Sequence, residues 1–323
     1  VNHTFTRREF LAASTAFGAG LATSSGLDAA AWKAKPSYQK ALIGLPDETT
    51  LEPMKAAGFD GIEFDVRRAP AELIAQAPRI AAKLEMRIHS LLHGWVNFNS
   101  PDADKVSEDL AGVRRSLEIA GRCGADAILL VPCRLQGMAM PEPRQFDVEI
   151  DEKTDHLRRV VDGDNAPYRE YIAAHDRAVD TSRAAIEKLI PDAEKAGVII
   201  ALENVGNNLW RLPAAFAHFV ASFDSPWVQA YFDVANHIQY APPEDWIRAL
   251  GGLIKKVHIK GAFLSPDGTE RRQADVRSGN IDWPTVRKAL AEVGYQGWLT
   301  IEGSRALPLE EQNRRLDLII AGK

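Results

Sequence analysis

From residue 41 onward the chain alternates two hydrophobic rhythms. Short apolar, β-branched runs fall at 41–45, 61–65, 88–92, 125–132, 198–203, 228–233, 256–260 and 298–302. Between them lie Ala-, Leu-, Arg- and Glu-rich segments with apolar residues at helical spacing, as at 104–122, 177–196 and 283–293. Gly58, Gly124, Gly197 and Gly294 each stand just ahead of a strand run, where a helix C-cap and a tight turn are expected. Eight strands alternating with helices over roughly 290 residues predict a single-domain (β/α)8 TIM barrel. A doubly wound sheet is the competing layout, but no glycine-rich phosphate loop follows the first strand. The rhythm breaks at 133–168, a charged stretch with a Pro141-Glu142-Pro143 turn. It reads as a long insertion after strand 4, either a lid or subunit contact over the active face or a mobile surface loop.

The first thirty-one residues carry a different pattern. Arg7-Arg8 precede Phe10-Leu11, a weakly apolar Ala/Gly-rich stretch runs to Thr23, and Ala29-Ala30-Ala31 offers a small-residue cleavage site. These are the parts of a bacterial export signal, with paired arginines of the twin-arginine type. The expectation is therefore a signal at 1–31, a barrel domain at 32–323 and a periplasmic or otherwise extracytoplasmic location. The apolar run of about 13 residues is too short for a bilayer span of about 20, so no lasting membrane anchor is expected.

Composition adds exclusions. Of 323 residues, 46% are hydrophobic and 26% charged, which is ordinary for a folded chain and excludes a disordered or collagen-like one. The net charge of −5 gives no general attraction to polyanions, so nucleic acid is not an expected partner. Cys123 and Cys133 are too few for a disulfide framework and read as buried thiols.

Polar residues gather where the strands end. Glu63 and Asp65 close strand 2, His89 and His93 flank strand 3, and Glu203, Asp233, His258 and Glu302 sit at the ends of strands 5 to 8. In a barrel these ends share one mouth. Burying so many ionisable groups is costly unless they pair or bind a cation. Three carboxylates and an imidazole suit one divalent ion with open positions, Mn²⁺ first, with Co²⁺, Mg²⁺ or Zn²⁺ as alternatives. Taken singly, each has a plainer reading: Asp233 as a helix N-cap, His258 as a core histidine, Glu302 paired with Arg305 and Glu203 with Arg211.

The segments Gly58-Phe59-Asp60-Gly61-Ile62-Glu63-Phe64, Leu202-Glu203-Asn204, Phe232-Asp233-Val234-Ala235-Asn236, Val257-His258-Ile259-Lys260 and Gly279-Asn280-Ile281-Asp282-Trp283 resemble the xylose-isomerase-like TIM-barrel superfamily. Within it they most resemble the sugar phosphate isomerase/epimerase family, which includes the ketose 3-epimerases. The resemblance implies that Glu203, Asp233, His258 and Glu302 hold one divalent metal, and that Glu203 and Glu302 are the acid/base pair on opposite faces of the substrate. A metal that polarises a ketone acidifies the neighbouring C–H, and two flanking carboxylates can remove and return its proton through an enediolate. With a leaving group one carbon further on, the same abstraction would end in elimination, so a lyase acting on a 3-keto-glycoside is the alternative outcome.

The family pattern is not complete. Where ketose 3-epimerases carry His three residues after the strand-6 Asp, this chain has Asn236, with His237 one further. Leu264 replaces their Arg six residues after the strand-7 His, and Leu209 stands where an acidic residue is frequent. Arg271, Arg272 and Arg277 fall on an expected flexible loop. These departures, with export, favour a small neutral keto sugar or keto-glycoside as the substrate. Glu63, His89, His93, Asn236, His237 and Lys260 are its candidate binding residues, and Trp95, Trp210 and Trp246 either stack on it or pack the core. A barrel nuclease of the abasic-DNA type is a remote alternative, since the further histidines it needs are missing. A sugar-binding protein without catalysis would not need two paired bases. A homo-oligomer is compatible with the sequence.

Overall fold

In the computed structural model of the protein, the described residues are 37–323, and Tyr38–Lys323 form one compact unit. The expected export signal, cleavage site and route lie outside the described residues. Among those that are described, no helix is long and apolar enough to cross a membrane.

The barrel is present and closed. Its strands are β1 (Gln39–Ile43), β2 (Gly61–Asp65), β3 (Arg87–Trp95), β4 (Ala127–Val131), β5 (Ile199–Glu203), β6 (Val228–Asp233), β7 (Ile254–Ile259) and β8 (Trp298–Ile301). All neighbours pair in parallel, and β1 joins both β2 and β8 to seal the sheet. Around it lie α1 (Glu48–Ala56), α2 (Ala71–Lys83), α3 (Ala103–Cys123), α4 (Arg169–Glu187), α5 (Ile190–Ala196), α6 (Pro213–Ala221), α7 (Pro243–Leu250), α8 (Trp283–Glu292) and α9 (Leu309–Ile320).

Two caps show how local chemistry sets these bounds. Asp102 precedes α3 and accepts from the backbone N–H of Asp104 and Lys105, while Gly124 ends it at φ 74°, a conformation that costs glycine little. The helix expected over 177–196 is instead two. Pro191, in the first turn of α5, has no N–H to continue the ladder from α4, so the chain breaks at Lys188 and Leu189 and starts again.

The main core fills the layer between strands and helices, with Leu51, Ile80, Leu117, Ile186, Phe216, Ile247 and Leu290 against the outward strand residues. A smaller apolar cluster, Ala127, Leu129, Val131, Ala201 and Tyr231, fills the barrel interior beside β4 and β5. The opposite side of the interior is polar, with Glu63, His89, Lys256, His258 and Thr300 all buried.

Strand β3 departs from simple alternation. Its pairing shifts between Ile62 and Glu63 on the β2 side, skipping His89, and between Leu92 and Gly94 on the β4 side, skipping His93. Each bulge changes which face the following residues present.

The stretch after β4 is ordered and packed. It contains a two-stranded hairpin, Glu149–Ile150 with Leu157–Arg159, and buries Phe146, Leu157 and Val160. Asp155, at its turn, is buried and pairs with Arg183 of α4 and His218 of α6. The expected flexible loop after β7 is also largely structured: Gly261–Leu264 pairs antiparallel with Arg271–Ala274, which carries Arg271 and Arg272. Arg144 of the first excursion donates to the Pro266 carbonyl of the second. Both leave from strand ends at the same mouth of the barrel.

Candidate metal centre

Parallel strands all finish at one rim, so the last residues of β5 to β8 are brought together whatever the loops do. Glu203 and Asp233 end β5 and β6, His258 is the penultimate residue of β7, and Glu302 follows β8 directly. One ligand atom from each lies within 4.8 Å of all the others. Glu203, Asp233 and His258 are buried, whereas the Glu302 side chain keeps 34% of its exposure.

Each member is held from behind. His258 Nε2 lies 2.7 Å from Glu63 Oε2, and Glu63 Oε1 accepts from the Tyr231 hydroxyl at 2.9 Å. The other ring nitrogen, Nδ1, faces the cluster, 3.1 Å from Glu302 Oε2 and 3.8 Å from Glu203 Oε1. Asn236 Nδ2 donates to Glu203 Oε1 at 3.1 Å. Asp233 divides its work: Oδ1 accepts from the N–H groups of Ala235 and Asn236, while Oδ2 turns inward, 3.1 Å from Lys260 Nζ. Its N-cap-like role and its place in the cluster are thus two ends of one carboxylate. Lys260 also donates to Glu302 Oε2 at 2.9 Å. Neither Arg305 nor Arg211 pairs with these glutamates.

The electrostatics follow from this packing. Burial raises the pKa of Glu203 and Asp233, opposed by His258 and Lys260 respectively. Burial would raise Glu302 too, but His258 and Lys260 outweigh it and hold that carboxyl well below the usual range. Burial acts to lower the pKa of the His258 imidazole, yet Glu63, Glu203 and Glu302 together raise it well above its ordinary value. Lys260 is raised in the same way by Asp233 and Glu302.

The donor set fits a divalent cation. Buried polar atoms are normally hydrogen-bonded, but Asp233 Oδ2 and His258 Nδ1 are buried with only ion-pair contacts at 3.1 Å, to Lys260 and Glu302, and no aligned hydrogen bond. Both atoms face the centre of the cluster. A histidine whose far nitrogen is bound to a carboxylate is the usual support for a metal ligand.

The other predicted residues separate. Asn236, Lys260 and Glu63 join the cluster as described. His89 is inside the barrel but deeper, stacked on Trp298 at 4.3 Å and 3.0 Å from Thr300 Oγ1. Burial, reinforced by Lys256, keeps its ring neutral. His93 does not face the mouth: its Nδ1 lies 2.8 Å from Ser116 Oγ on α3, because the bulges in β3 break the parity its spacing from His89 implied. His237 is buried beside Trp246 and Tyr240. Trp210 and Trp246 are core residues at 2% and 1% exposure, so they do not stack on a ligand; Trp95, at the end of β3, lies under the Arg134 guanidinium. Two supports were not singled out from sequence. Asn204 clasps the end of β6 by exchanging hydrogen bonds with Asp233 N and O, and Tyr231 holds Glu63. Asn204 lies inside the Leu202-Glu203-Asn204 motif, which was the available signal.

A closed (β/α)8 barrel with a Glu-Asp-His-Glu set converging at its mouth defines a barrel able to hold one metal ion. Residues 51–317 match the xylose isomerase-like TIM barrel family, and the chain belongs to that family. Solved structures with the same fold include a D-tagatose 3-epimerase-like protein, at TM-score 0.67 and 17% identity over 88% of this chain and 97% of that one. A 3-keto-D-glucoside 4-epimerase from E. coli matches at TM-score 0.63 and 15% identity, covering 88% and 100% of the two chains. An L-ribulose 3-epimerase matches at 0.59 and 21%, covering 87% and 86%. A similar structure at TM-score 0.66 and 17% identity, over 87% of this chain and 96% of the other, is that of an IOLI protein with a bound zinc atom. An uncharacterized protein of Methanocaldococcus jannaschii is 25% identical over 128 residues, 38% of this chain and 43% of that protein.

Proposed function

We propose that the protein is a metal-dependent sugar isomerase or epimerase that removes a proton from the carbon next to a carbonyl, in a keto sugar or keto-glycoside. The observation that carries this reading is the pair of glutamates, Glu203 and Glu302, reaching the same small space from β5 and β8 within one set of four possible metal donors. A divalent cation held by Glu203, Asp233, His258 and Glu302 would polarise the carbonyl, which is the chemistry it supplies there. Manganese is the first choice for that ion.

The protein's own groups do the rest. Glu302, the more exposed of the two, meets a substrate entering from the mouth, and Glu203 faces it from the buried side. One takes the proton and the other returns it to the opposite face, with an enediolate between the two steps. Asn236 keeps Glu203 in place through its amide, and Lys260 offers its ammonium to an oxygen of the substrate while neutralising Asp233 and Glu302. Elimination of an aglycone from a 3-keto-glycoside would use the same abstraction and differ only in what leaves the neighbouring carbon.

Solvent deuterium exchange tests this directly. A panel of keto sugars and 3-keto-glycosides incubated in D2O with the Mn²⁺-loaded protein is expected to gain deuterium next to the carbonyl. Glu302→Gln is expected to lose at least about 100-fold in exchange rate, the scale of removing a general acid/base group. Full exchange in that variant would end the acid/base assignment.

A further inference from the structure

Next to the metal centre lies a second group of polar side chains that the reaction does not use. Arg211 is in the loop after β5, His237 in the loop after β6, and Arg271 on the hairpin after β7. These loops follow the strands that supply Glu203, Asp233 and His258, so the group adjoins the cluster on its β5–β7 side. The link is direct at one point, since Asn236, the neighbour of His237, donates to Glu203.

Arg211 is 8% exposed, and its Nε is buried without a hydrogen bond. Among the described residues no carboxylate comes within ion-pair distance of its guanidinium, which instead sits 4.6 Å over the Tyr240 ring. Arg271 likewise has a buried, unbonded Nη1 and no acidic partner. His237 is 2% exposed and neither ring nitrogen makes a well-formed hydrogen bond. Both guanidiniums act on His237 and, with burial, keep its ring neutral. A buried cation is ordinarily matched by an anion. Arg211, buried, and Arg271, half-buried, both act on the one uncharged imidazole and lack that match among the described residues. A ring face is a weak substitute for a carboxylate.

We propose that Arg211, Arg271 and His237 form a subsite for one anionic group, a carboxylate or phosphate, carried by the sugar on a carbon other than the one that loses its proton. The proposal rests on the sugar-isomerase reading of the mouth and sharpens its substrate class. With a divalent cation and Lys260 offsetting the three carboxylates of the centre, the guanidinium pair is the charge left without a counterpart, and it would receive such a group through charge-assisted hydrogen bonds. On this proposal the substrate is an acidic keto sugar, where the sequence favoured a neutral one.

Calorimetric titration of the full chain with D-glucuronate, D-glucose 6-phosphate and D-glucose separates the cases. One of the two acids is expected to bind at least about tenfold more tightly than glucose, and its preference over the other acid names the anion. Added salt should shrink that advantage, and Arg271→Gln, on a partly exposed hairpin, should remove most of it even if Arg211→Gln proves unable to fold. Equal affinity for all three sugars, or no binding of either acid up to about 10 mM, would overturn the subsite. Turnover is not needed for this reading. Preference for the acids with no deuterium exchange in any keto sugar would defeat the isomerase assignment alone. Exchange in neutral keto sugars with no preference for acids would defeat the subsite alone.

Discussion

Glu63 touches no ligand in the proposed reaction, yet it should govern how tightly a metal is held. Its Oε2 lies 2.7 Å from His258 Nε2, which keeps a ring proton on Nε2, so that a cation entering the cluster would displace the proton from Nδ1 and bind there. Glu63→Gln keeps an acceptor of nearly the same shape but removes its charge. A hydrogen bond to a charged group contributes about 1.5–3 kcal/mol and a neutral one about 0.5–1.5, so the ring loses roughly 1–2 kcal/mol of support. That corresponds to about 5–30-fold in metal affinity, within the 10–100-fold range typical of such supporting groups. If the amide instead turned its NH2 toward His258, the ring would be forced into the wrong tautomer and the loss would be larger. Titration of chelator-stripped protein with Mn²⁺ and Zn²⁺, with circular dichroism to confirm folding, measures the effect. Tyr231→Phe, which removes only the 2.9 Å bond to Glu63, should cost less. A folded Glu63→Gln variant that binds both metals within twofold of the parent would refute the tautomer argument.

The remaining expectations concern stability. Adding Mn²⁺ or Zn²⁺ to stripped protein should raise the thermal midpoint, by the equivalent of about 2.7 kcal/mol at a hundred times Kd, and Asp233→Asn should abolish the rise; an unchanged midpoint in the parent would exclude the metal site. Lys256, buried in the barrel with only the half-exposed Asp126 as partner, has its pKa pushed down to about 8. Its unfolded form therefore binds a proton more readily, which destabilises the fold at neutral pH and relents as pH rises from 8 toward 10.5. Lys256→Met should accordingly gain about 1–3 kcal/mol in denaturant unfolding, because Asp126 keeps Lys255 at 2.8 Å; a loss would show that the ion pair is net favourable. The pKa of His218 is raised by its bond to Asp155 at the turn of the insertion. A raised folded pKa gives stability that is complete below the unfolded value, near 6.5, and fades as pH climbs through the folded one. The midpoint advantage of the parent over His218→Asn should therefore shrink between pH 6 and pH 9, and a constant difference would argue against it.

The barrel and its four-residue cluster were legible because both depend on periodicity. Eight apolar runs set the strand count, and parallel strands in a barrel bring their ends to one rim without any knowledge of the loops. That is why Glu203, Asp233, His258 and Glu302 were recoverable one strand at a time. What failed was whatever depends on breaking the period. His89 and His93 are four apart and should share a face, but bulges at both positions send one into the barrel and the other onto Ser116 of α3. Pro191 split a helix that hydrophobic spacing alone had run together. The tryptophans at 210 and 246 were ambiguous because loop position does not reveal burial, and both are in the core.

Charge balance was harder still to read from sequence, for a physical reason. Arg211 and Glu203 are eight residues apart and looked like a pair, yet the glutamate turns into the mouth toward Asn236 while the guanidinium packs on Tyr240. A count of charges cannot register that separation: the net −5 treats the two as cancelling, although each is left facing a different space. Three carboxylates converge where a cation fits, and among the described residues Arg211 and Arg271, on the neighbouring loops, have no acidic partner. In the proposed reaction a free ketose would engage only the metal centre, whereas an acidic keto sugar would also give the two guanidiniums a counter-charge.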